Sequence, residues 1–116
     1  MGTFTTNKEL PEINDNRICY EIGLFQETLL KFLQRVDLKK TVIIHLDADL
    51  YSSTLFVLTS LISILPKGTI VIFDEFAGRC GTHEFRAFID VMSSYNRKYL
   101  ILGTTYNFMH LAFKLL

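Results

Sequence analysis

The chain has 116 residues, 49% of them hydrophobic, and its twelve Lys and Arg balance twelve Asp and Glu. That is the scale of one small domain with a single core, and it excludes disorder as the dominant state. No basic stripe points to nucleic acid, and no apolar stretch approaches the roughly 20 residues of a membrane helix, so a soluble protein with neither partner is expected.

Residues 1–17 are polar, show no period and contain Pro11, Asn14, Asp15 and Asn16, which predicts a loop or frayed segment. The opening Met1-Gly2-Thr3-Phe4-Thr5-Thr6 formally matches a myristoylation pattern, one short enough to arise often by chance. Ile18-Cys-Tyr-Glu-Ile22 reads as a short strand ended by Gly23, and residues 18–116 as one domain. Phe25, Leu29, Leu30, Phe32, Leu33 and Val36 then recur at helical spacing, with Gln26, Glu27, Lys31, Gln34 and Arg35 on the other face. Thr41-Val-Ile-Ile-His-Leu46 is a continuous apolar, β-branched run, the pattern of a strand covered on both faces.

A second helix is expected from about Tyr51 to Leu65, ended by Pro66 and Gly68. Thr69-Ile-Val-Ile-Phe73 repeats the buried-strand pattern, which makes a βαβ unit with adjacent parallel strands. The third helix carries Phe85, Phe88, Ile89, Met92 and Tyr95 on one face, with Thr82 as N-cap and Glu84 favoured by the helix dipole. Tyr99–Leu102 and Phe108–Leu116 are the last strands. The short loop between them, with Gly103 and Asn107, makes that pair antiparallel.

Two cysteines, Cys19 and Cys80, and no recognisable secretory signal fit a reducing, cytoplasmic setting. Cys80 and His83 have the spacing of half a zinc site, but no second pair exists, and a loop thiol followed by a helix-start histidine explains them.

The chemistry gathers where the two central strands stop. The first ends His45-Leu-Asp-Ala-Asp-Leu-Tyr-Ser-Ser-Thr54 and the second Phe73-Asp-Glu-Phe76. Ligands of open α/β sheets bind beyond the carboxyl ends of strands, and four acids there repel one another unless a hard cation such as Mg²⁺ joins them. Taken singly, Asp49 reads equally well as a helix cap and Asp74 as a loop residue. Two neighbouring strands both ending in acid pairs favours a site built from Asp47, Asp49, Asp74 and Glu75. His45, inside its strand, reads as a buried, hydrogen-bonded histidine.

The run from His45 to Thr54 resembles the signature of the macrocin O-methyltransferase family, class I enzymes that use S-adenosylmethionine to methylate sugars of antibiotics and other natural products. Gly23-Leu-Phe-Gln-Glu-Thr-Leu29, Phe73-Asp-Glu-Phe76, His83-Glu-Phe-Arg-Ala-Phe88 and the closing strand are similar too. The resemblance spans about residues 18 to 116. It implies an α/β, Rossmann-like sheet; Mg²⁺ held by Asp47, Asp74 and Glu75; and Asp49 as the base that deprotonates the acceptor hydroxyl. Glu75 departs from the aspartate usual in the family.

In the family's strand order 3-2-1-4-5-7-6, this chain resembles strands 3 to 7. Strands 1 and 2, which carry the glycine-rich cofactor loop, have no counterpart, and no G-x-G occurs. The expectation is therefore the acceptor and metal half of an S-adenosylmethionine-dependent O-methyltransferase, with its cofactor-binding residues unknown and its activity alone in question. The alternative is a non-catalytic module that pairs with another chain, or forms a homo-oligomer, through an open sheet edge. A phosphoryl-accepting receiver domain would need a lysine near Gly103-Thr104-Thr105, and none is there.

Overall fold

The computed structural model describes residues 9–77 and 83–116. Three helices and four strands form a mixed α/β unit. In chain order they are α1 (Phe25–Leu33), β1 (Ile43–Leu46), α2 (Tyr51–Leu61), β2 (Ile70–Phe73), α3 (Glu84–Ser94), β3 (Tyr99–Thr104) and β4 (Leu111–Leu115).

The sheet runs β1-β2-β4-β3. β1 and β2 are parallel, joined through α2 as the βαβ pattern predicts, with Ile43 beside Ile70 and Leu46 beside Phe73. β4 inserts antiparallel between β2 and β3, and the β3–β4 pair is antiparallel as expected, with an irregularity between Ile101 and Gly103. β1 is left as an edge strand.

Strand alternation sends Val71 and Phe73 of β2 and Leu111, Phe113 and Leu115 of β4 to one face, where all are buried. There they meet Val57, Leu58 and Leu61 of α2 and Phe88, Val91 and Met92 of α3 in one core. Its centre is aromatic: Phe88 lies 4.7 Å from Phe113 and 4.8 Å from Tyr99, ring centre to ring centre. These offset and edge-on pairs add about 0.5–1.5 kcal/mol each beyond area burial.

The opposite face corrects an expectation. The apolar runs in β1 and β2 predicted cover on both sides, but only one side has helices among the described residues. Ile43 is 63% exposed, Leu100 51%, and Ile70, Ile72 and Ala112 are half-buried. An apolar sheet face is thus left bare, and the apolar residues there still follow the two-sided pattern of parallel strands.

Residues 18–22 are a second correction, since they form no strand. An extended run becomes a strand only by sharing a ladder, and the backbone bond found here is local, Ile18 N–H to Asp15 O. α1 is amphipathic yet has no buried residue. It borders a cleft of about 490 Å³ with β1 and α2, lined by Phe25, Leu29, Ile44, Val57 and Leu61 and reaching Asp47 and Ala48.

α1, β1, α2 and β2 are slightly shorter than the periodicity suggests, whereas β3 runs two residues further, to Thr104. The last strand loses its first residues because Phe108 adopts φ 57° in the turn, a conformation incompatible with a strand. The N-cap of α3 is His83, not Thr82, which lies outside the described residues, as does Cys80 of the half zinc pattern. No helix among the described residues is long and apolar enough to cross a membrane.

Candidate functional site

β1 and β2 stop side by side, and the Asp74 N–H donates to Leu46 O at 3.0 Å, so their carboxyl ends are level. Each then turns into an acidic loop. Asp47 and Asp49 are exposed on the first; Asp74 is half-buried and Glu75 exposed on the second. The structure therefore places all four expected residues on one edge.

Asp49 does not cap α2. The N-cap is Leu50, with no side-chain cap bond. Asp49 instead holds φ 59°, a left-handed conformation that aspartate tolerates better than most residues, and Leu50 N–H closes a tight turn onto Ala48 O at 2.6 Å. Its carboxylate is thus free of the structural duty that would have explained it.

Asp74 turns toward the bare face. Its Oδ1 lies 3.7 Å from His45 Nε2 and 3.6 Å from His110 Nδ1, with both histidine side chains more than half exposed. His45 is a third correction: a buried, hydrogen-bonded residue was expected. It points to the side that has no helix layer, because position 45 shares a face with 43 rather than with Leu46.

Glu84 is the residue that sequence reasoning passed over. It opens α3 yet is 1% exposed. Its Oε1 accepts from Ala48 N–H at 3.2 Å and its Oε2 from Glu75 N–H at 3.3 Å, so one carboxylate bridges both acidic loops. Burial pushes its pKa above the ordinary carboxylate range, the two amide bonds pull it back, and nearby Asp47 and Asp49 push it up again. The signal in the sequence was a charged residue beginning the core-facing stretch Glu84, Ala87, Phe88, Val91, but a helix-start glutamate is usually solvated.

The rest of the signature is packing. Tyr51 Oη donates to Asp90 Oδ2 at 2.9 Å, tying the start of α2 to α3. Thr54 is fully buried.

These residues fit a bound metal poorly as they stand. Among the described residues no three His, Cys, Asp or Glu side chains gather as a metal site. Asp74 sits beside His45 and His110 instead, and Glu75 is exposed. Nor does any glycine-rich loop suit a nucleotide-like cofactor, since the glycines stand at 2, 23, 68, 78, 81 and 103.

A family model described as Macrocin-O-methyltransferase (TylF) matches residues 5–97. No curated protein matches the chain.

Proposed function

The chain belongs to the macrocin-O-methyltransferase family, and on that premise we propose that it provides the acceptor side of an S-adenosylmethionine-dependent O-methyltransferase acting on a hydroxyl of a sugar or glycosylated natural product. The observation that carries the reading is the pair of acidic loops level with one another at the carboxyl edge of a parallel pair, with the Asp49 carboxylate released from capping. The open four-stranded order β1-β2-β4-β3, a parallel pair followed by two antiparallel neighbours, supports a partial methyltransferase-like sheet. β1 is an edge strand of that sheet, and the apolar cleft under α1 lies beside it.

S-Adenosylmethionine, when bound, supplies a methyl group on an electrophilic sulfonium carbon. This chain's part is to hold the acceptor and take its proton. The Asp49 carboxylate accepts the hydroxyl proton as the oxygen gains its new bond to carbon, and the carboxylic acid then returns the proton to solvent. The family reading adds Mg²⁺ on Asp47, Asp74 and Glu75. Among the described residues those side chains are not gathered as a metal site.

Calorimetric titration of the chain with S-adenosylmethionine tests the reading. Heat should be absent, or fit only a Kd weaker than about 1 mM; a Kd near 1 μM would place the cofactor site within this chain and overturn the half-site reading. A second reading, a module that pairs with another chain, is favoured by the bare sheet face and by the β1 edge, which has no further strand beside it among the described residues. It predicts self-association in light scattering, and a monomer at every concentration counts against pairing between copies.

A further inference from the structure

We propose that Glu84 is the positioning residue that fixes the spacing between the loop carrying Asp47 and Asp49 and the loop carrying Asp74 and Glu75. Ala48, its first partner, sits between the two aspartates of one loop, and Glu75, its second, belongs to the other. No other side chain among the described residues hydrogen-bonds to backbone of both loops. Asp47, Asp49 and Glu75 are exposed and Ala48 and Asp74 half-buried, and the backbone bond from Asp74 N–H to Leu46 O ties the strand ends just before the loops diverge.

Glu84 has no cationic partner among the described residues, and a buried carboxylate without one is costly. An apolar residue of similar volume would avoid that cost but leave the Ala48 and Glu75 N–H groups without their acceptor. Only a carboxylate offers two acceptor oxygens, set at a fixed distance, to two amides on different strand ends. Glutamine offers one acceptor and turns an N–H against the other amide. Aspartate keeps both oxygens on a shorter stem.

The proposal rests on the acidic edge being the reacting edge, but its test needs no turnover or cofactor. Amide hydrogen exchange and amide shifts are measured by NMR in the whole chain, in the wild type, Glu84→Gln and Glu84→Asp. In Glu84→Gln, exchange at Ala48 or Glu75 should quicken about tenfold or more, and the Asp47 and Asp49 amide resonances should move, while Val71 and Phe113 in the core exchange as before. In Glu84→Asp, protection should survive at one of the two amides and be lost at the other. Unchanged exchange at both amides in either variant overturns the proposal. So does an equal quickening at Val71 and Phe113, which would make Glu84 a general stabiliser. If the Gln variant does not fold, the Asp variant decides by the same criteria. Cofactor binding found by calorimetry would leave this result standing and remove only the half-site reading.

Discussion

Replacing Arg97 probes how α2 is anchored at the end opposite the acidic loops. Arg97 lies between α3 and β3, and its guanidinium reaches back across the fold. Nη1 donates to Ile62 O and Nη2 to Leu65 O, each at 3.1 Å. These carbonyls lie where α2 ends, where helical partners run out, and the positive charge also meets the negative end of the helix dipole. A hydrogen bond from a charged donor contributes about 1.5 kcal/mol at the low end of its range, so two contribute about 3. Against this, Arg97 Nε is buried with no partner among the described residues, a cost of roughly 1 kcal/mol that truncation removes. Arg97→Ala should therefore destabilise by about 2 kcal/mol, and Arg97→Lys, which keeps the charge but spans only one carbonyl, by about 1. Urea unfolding followed by far-UV circular dichroism measures both. With m near 1–2 kcal/mol/M, the Ala midpoint falls by about 1–2 M. If the Lys and Ala variants unfold together, or neither loses more than about 0.5 kcal/mol, the two-carbonyl staple does not hold α2.

Three further outcomes follow from other contacts. The hydrogen bond to Asp90 holds the Tyr51 phenol pKa above its ordinary value, so the folded contact favours the protonated phenol and is lost as pH rises through the raised value. Ultraviolet titration should show a late phenol in the wild type that moves to lower pH in Asp90→Ala; identical titration curves for the two proteins would refute this. Because Asp49 holds φ 59°, Asp49→Gly should be neutral to ~1 kcal/mol stabilising and Asp49→Val should cost ~1–2 kcal/mol in thermal melts. Equal melting of the two would mean that the loop is not held left-handed. On the bare face, Ile43→Lys should cost less than about 0.5 kcal/mol and reduce self-association in light scattering, as lysine does on natural edge strands. Unchanged association would clear that face of blame.

The calorimetric reading and the Glu84 strut concern different halves of the same edge. If this chain holds the acceptor and lacks a cofactor loop, the acidic loops must still be kept at a set spacing, and Glu84 is placed to keep it without a metal. The His45, Asp74 and His110 group shows why strand-end acids need not act as a unit. Asp74 lies across β2 and β4 from His110, facing the bare side, while Glu84 draws the Glu75 backbone toward α3.

By itself the sequence determined the order of the helices and strands that formed, the parallel β1–β2 pair, the antiparallel last pair and the edge where Asp47, Asp49, Asp74 and Glu75 sit. These follow from local period, chain order and short connections, which are written into consecutive residues. Only the tertiary structure decided the rest. Whether Ile18–Ile22 is a strand depends on a neighbour to pair with, and whether His45 is buried depends on which face the helices cover. Whether Glu84 is a solvated helix start or a buried strut depends on two amides 36 and 9 residues away. No local pattern encodes a contact at such separations, because burial and hydrogen bonding are properties of what the folded chain brings alongside a residue.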